Sequence, residues 1–174
     1  IKTMKLVKSK QEFKEHFKDS NSYLILQPST VFPQTNVWIA PPKNFKPVEN
    51  IRGFIHLATT TSITCTKIKG YHYSQLSDQL TSEYIASQNA FLNSTEDVVT
   101  DNGMPGKLLT ISFTIPAKDS LHKDTPFERL MLFTGDLETT VWINATYPQS
   151  VKRFVSKIVR KSLLSVKLNN SDKQ

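Results

Sequence analysis

Residues 125–168, TPFERLMLFTGDLETTVWINATYPQSVKRFVSKIVRKSLLSVKL, constrain the fold more than any other stretch of this chain. FERLMLF is apolar on both sides after Glu128 and Arg129, as a strand covered on two faces must be. Gly135-Asp136 supplies a turn and TTVWINATY a returning strand. Pro148 suits a first helical turn, where an amide hydrogen is dispensable. Val151, Phe154, Val155, Ile158 and Val159 then follow the i, i+3, i+4, i+7, i+8 spacing of a helix with one buried stripe. Such a helix needs a sheet to lie on, and the two strands before it provide one.

The rest of the chain extends the same pattern. YLILQ at 23–27 and NVWIA at 36–40 read as short strands, the second stopped by Pro41 and Pro42, and PPKNFKPVEN as an irregular connection. Residues 51–57 and 60–68 read as two extended segments rich in Ile and Thr. Leu76, Leu80, Tyr84 and Phe91, with Ile85 beside them, predict an amphipathic helix over 74–91, capped by Ser74. A hairpin follows from Asp97 through DNGMPG, with Asn102-Gly103 expected to take positive φ. Its return strand alternates, with Leu109, Ile111, Phe113 and Ile115 on one face. Residues 117–126 read as a polar loop.

Two helices set among antiparallel hairpins imply an α+β fold, an antiparallel β-sheet flanked by helices as an α/β/α sandwich. With 174 residues, ten Phe, five Tyr and two Trp, the chain has side chains enough for one core. We read residues 1–22 as a basic leader, 23–168 as a single domain and 169–174 as a polar tail. No apolar run reaches the length of a membrane-spanning helix. Because the sequence opens on Ile1 rather than Met, we expect an export signal to have been removed before it, and hence a periplasmic or otherwise exported protein.

Chemistry is harder to find. His16, His56, His72 and His122 are too scattered for a two-histidine metal motif, and His122, between Asp119 and Asp124, reads as solvated charge. No Ser is flanked by Gly in the manner of a hydrolase elbow, and the five glycines do not cluster into a phosphate cradle. Cys65, the single cysteine, lies in the β-branched run SITCTKI, where a buried inert thiol is expected. Asn93, Asn144 and Asn169 open glycosylation-type triplets, none of which we read as functional. No catalytic, metal or cofactor site is expected.

The binding candidates are two. Lys152, Arg153, Lys157, Arg160 and Lys161 form the polar side of the last helix and carry part of the net charge of +7. No aromatic side chain is interleaved there to stack a base, so specific nucleic-acid recognition is not expected. Tyr71, His72 and Tyr73 are a candidate pocket lining at the start of the first helix.

NVWIAPPKNFKP, SITCTKI, DNGMPGKLLTIS and FERLMLFTGDLETTVWINATYP, with the helix that ends in SLLSVKL, together resemble the PsbP-like superfamily over most of 36–168. Those domains, named for an extrinsic photosystem II protein, are α/β/α sandwiches and also occur in many exported bacterial proteins. The resemblance implies a mostly non-enzymatic domain. The expected function is that of an exported protein- or envelope-binding module, partnered by a protein or envelope component. A cytoplasmic adaptor or chaperone for secreted effector proteins is the alternative, and an enzyme whose pocket is assembled from distant residues is a third.

Overall fold

The computed structural model describes residues 25–169. The expected basic leader and the first two residues of the expected strand at 23–27 fall outside them, and of the remainder Leu26 forms only an isolated bridge to Pro42. Seven strands form one antiparallel sheet in the order β3-β4-β5-β9-β8-β7-β6. They are β3 (Lys46–Val48), β4 (Gly53–His56), β5 (Thr61–Lys69), β6 (Ala90–Val99), β7 (Pro105–Ile115), β8 (Thr125–Gly135) and β9 (Thr139–Pro148). A second, three-stranded antiparallel sheet is ordered β1-β2-β10, from β1 (Thr30–Val31), β2 (Val37–Ile39) and β10 (Lys167–Leu168). Among the described residues the α-helices are α1 (Tyr73–Ser77), α2 (Ser82–Ser87) and α3 (Lys152–Leu164).

The two-sided apolarity of β8 is explained by its place between β7 and β9. Leu130 and Leu132 point into one core with Ile143, Ala145 and Tyr147 of β9, Ile63 of β5 and the buried side of α3. Met131 and Phe133 point the other way, into a second core with Leu109, Ile111 and Ile85. The small sheet lies on the α3 side, where Phe32, Val37 and Ile39 are fully buried, while Leu76 and Leu80 cover the opposite face. Three layers result, as an α+β sandwich requires.

The SLLS tail of α3 ties the small sheet to this frame. Ser162 Oγ donates to the Ala40 carbonyl at 2.7 Å, and the Ala40 N–H donates to Ser165 Oγ at 2.9 Å. Two hydroxyls thereby satisfy both polar groups of one backbone unit beside β2. The chain then runs into β10, which pairs with β2 through Lys167↔Trp38 and Leu168↔Val37.

The expected single helix over 74–91 is not formed. It divides at Thr81, whose hydroxyl accepts the Tyr84 N–H at 3.2 Å and starts α2 afresh. Asn89 takes φ of 58°, and Ala90 onward is strand β6, paired with β7 from Ala90↔Phe113 to Val99↔Pro105. Leu76, Leu80 and Ile85 do pack on one core, although Leu80 lies in the turn between α1 and α2, and Phe91 sits on the strand, 68% exposed. A full backbone ladder with β7 outweighs local helix propensity there. The hairpin is correspondingly longer than expected. Its turn is closed by Thr100 and Met104, whose backbones bond at 2.8 Å, and of Asn102 and Gly103 only Gly103 has positive φ. Pro148 ends β9 and precedes a 3₁₀ turn, Gln149–Val151, so it stands before the helix rather than in its first turn. The connection read as irregular contains β3.

Candidate functional site

The five cations of the last helix do not act as one free surface. Lys152 Nζ donates to Glu128 Oε2 at 2.7 Å, and Tyr147 Oη donates to the other oxygen of that carboxylate at 2.6 Å. Glu128 is buried on β8, so its charge is compensated where water cannot reach it. Burial, and then the neighbouring Glu128 carboxylate, push the Tyr147 hydroxyl well above its usual pKa. Arg160 holds Glu96 of β6 by a two-pronged contact, 2.8 Å and 3.2 Å. Arg153 lies over the Phe154 ring, 4.4 Å from its centroid. Lys157 and Lys161 are exposed. Two of the five charges thus brace the helix against the sheet, and three point outward.

Tyr71, His72 and Tyr73 serve the start of α1. His72 is the N-cap: its Nδ1 lies 2.7 Å from Ser74 Oγ and accepts the Ser74 N–H, while the His72 N–H donates to Gln75 Oε1 at 2.8 Å. The Tyr71 carbonyl accepts from Thr140 Oγ1 at 2.8 Å, and the Tyr73 side chain packs against the second core. None of the three lines the cleft that does exist nearby.

That cleft, of about 530 Å³, opens where the end of β5 meets the β8–β9 turn and the small sheet. Lys67 and Lys69 stand on one side, Asp136, Leu137 and Glu138 on the other, with Asn36 at the base of the small sheet. Lys67 Nζ donates to Asn36 Oδ1 at 2.9 Å. Asp136 is largely spent on its own turn, accepting the backbone N–H groups of Glu138 and Thr139 at 2.9 and 2.8 Å. The alternation Lys67-x-Lys69 is the one sequence signal for this site, since it places both amines on the same strand face.

Other polar groups have structural partners. His56 Nδ1, Thr59 Oγ1 and Thr61 Oγ1 form a buried chain with 2.8 Å spacings, and the Phe45 ring stacks on His56. Asp119 and His122 meet at 2.6 Å on an exposed loop, and that hydrogen bond lowers the Asp119 carboxyl pKa. Cys65 is buried, and desolvation pushes its thiol up to about 12. Among the described residues no cluster of three or more His, Cys, Asp or Glu side chains is placed to hold a metal ion. Among the same residues no helix is long and apolar enough to cross a membrane.

No family model matches the sequence, and no curated protein matches it. Solved structures do match its fold. The solution structure of cyanobacterial PsbP (CyanoP) from Synechocystis sp. PCC 6803 superposes with a TM-score of 0.53 at 13% identity. That match covers 84% of this chain and 94% of the cyanobacterial one. A crystal structure from Bacteroides thetaiotaomicron VPI-5482 gives a TM-score of 0.54 at 12% identity, over 86% of this chain. This chain spans 51% of that protein's length. The three-layer sheet and helix arrangement is therefore a PsbP-like fold.

Proposed function

We propose that this chain is an exported, non-catalytic PsbP-like domain that binds a protein or envelope partner through its charged surface. The observation that carries the reading is the division of labour on α3. Its apolar side is locked in the core, Lys152 and Arg160 are bound to the sheet, and Arg153, Lys157 and Lys161 are left facing outward. A helix held rigidly by both its apolar stripe and its flanking ion pairs presents those outward charges in fixed positions, which favours attraction to an acidic surface. The PsbP-like fold supports the non-catalytic reading.

The test is co-sedimentation with vesicles of anionic phospholipid and with vesicles of phosphatidylcholine alone, and capture of acidic envelope proteins by the same chain. Binding to the anionic vesicles or acidic proteins should fall steeply as salt rises. It should also fall in the double variant Lys157→Glu/Lys161→Glu, which touches neither ion pair. Equal binding by the parent chain and the double variant would show that this surface is not the contact.

A further inference from the structure

The two edges of the seven-stranded sheet are built differently. At one end β3 is three residues long and contains Pro47, which has no amide hydrogen to offer a further strand. At the other end β6 runs for ten residues, AFLNSTEDVV, with neither Pro, Lys nor Arg to discourage pairing. Its two acids are turned back into their own molecule, Glu96 to Arg160 and Asp97 to Lys107 at 2.8 Å. Phe91 and Val99 near its two ends are 68% and 64% exposed.

We propose that β6 pairs antiparallel with β6 of a second copy of this chain, about a two-fold axis at Thr95, joining the two sheets into one. A second copy is favoured over a foreign strand because the register centred on Thr95 places each acid directly opposite an uncharged residue and seats Phe91 against Val98, whereas centring on Glu96 or Asp97 would set acid on acid. The ladder with β7 pairs Leu92 with Ile111 and Ser94 with Thr110, leaving Asn93 as the extra residue of a bulge. Counted outward from Thr95↔Thr95, with Asn93 skipped on each strand, the pairs are Ser94↔Glu96, Leu92↔Asp97, Phe91↔Val98 and Ala90↔Val99. Both members of every pair lie on the same face of the sheet. Ser94, Glu96, Phe91 and Val98 lie on the α3 side, and Ala90, Leu92, Thr95, Asp97 and Val99 on the other. No acid stands directly opposite an acid, and the two Glu96 side chains, diagonal across the axis, are each neutralised by their own Arg160. Phe91 meets a β-branched residue and the threonines meet each other, both favourable cross-strand pairs. Self-complementarity of this kind is what an isologous interface demands.

The experiment is sedimentation of the whole chain across a concentration series, with Thr95→Lys and Thr95→Cys as variants. Thr95 is exposed, so neither substitution enters the core. The parent chain should reach twice the chain mass by about 100 µM, the regime of a weak two-fold contact. Thr95→Lys sets two like charges on the axis and should stay monomeric with an unchanged melting temperature. Thr95→Cys should form a disulfide-linked dimer on mild oxidation, since residues directly opposite across an antiparallel pair are within bridging distance. Cys65 is buried and does not compete. A parent chain that is monomeric up to about 1 mM overturns the proposal. So does a dimer that survives Thr95→Lys, or a Thr95→Cys chain that fails to cross-link, even where Thr95→Lys does not fold. A foreign extended peptide that pairs with β6 of a monomeric chain overturns it as well.

Discussion

Glu128 is the residue whose loss should be felt most among the polar positions. It is buried and satisfies both the Tyr147 hydroxyl and the Lys152 amine. Glu128→Ala should cost about 3 kcal/mol in chemical denaturation, because a buried hydroxyl loses its acceptor and an amine its counter-ion. Lys152 is half-exposed, but its loss leaves the buried Glu128 without its counter-ion, so Lys152→Ala should cost about 1–2 kcal/mol, less than Glu128→Ala because the Tyr147 hydroxyl still binds the carboxylate. Equal costs would show that the pair, and not the buried acceptor, carries the energy. Cys65 gives a second test at this scale. Its thiol should react slowly with a thiol reagent in the native chain and fast in denaturant. Its pKa is raised from 9.0 to about 12, so the folded state binds that proton more tightly than the unfolded chain does. The associated stability is complete below pH 9 and is lost as pH rises from 9 towards 12. Cys65→Ala should flatten the stability profile over that interval.

At the scale of elements, α3 is the member that joins the two sheets. Ile158 is buried at the centre of its stripe, and Ile158→Ala should cost about 2–5 kcal/mol. Phe154 belongs to the same spacing pattern but is only partly buried, packed at the margin of the core, so Phe154→Ala should cost less than Ile158→Ala. Lys157→Ala should change stability by no more than about 0.5 kcal/mol. Thermal melts of the three variants rank them, and an equal fall in all three would mean that the buried face is misplaced. In the opposite layer the capping hydroxyl of Thr81 is what restarts the helix. Thr81→Ala should cost about 1 kcal/mol, with loss of hydrogen-exchange protection confined to α2.

For the whole molecule, the excess of 22 basic over 15 acidic residues makes nonspecific attraction to polyanions unavoidable. Any association with DNA or RNA should weaken steeply with salt and show no sequence preference, as a competition titration would reveal. Charge alone sets no register on a base sequence, and Arg153, one of the outward cations of α3, already lies over the Phe154 ring. Tight binding to one sequence at physiological salt would replace the proposed function with a nucleic-acid-binding one.

Sequence by itself determined the fold class, because the signals for β8, β9 and α3 are local: period-2 and period-3.6 apolar spacing needs no knowledge of the partner that covers it. It also determined the shielding of Cys65, which follows from a β-branched strand facing the core. Only the tertiary structure decided that the strand leading into the expected hairpin begins as early as Ala90, because its pairing partner is β7 and the energy of that ladder is absent from the segment's own sequence. The fate of the charges was decided in the same way. Lys152 and Arg160 are indistinguishable from Lys157 and Lys161 along the helix, yet the first two lie within reach of Glu128 and Glu96. Those acids are 24 and 64 residues away in sequence, and chain folding alone brings them to the helix. The cleft between Lys67, Lys69 and the β8–β9 turn has the same origin: its walls come from three separate parts of the chain, and their convergence is a property of the packed sheets.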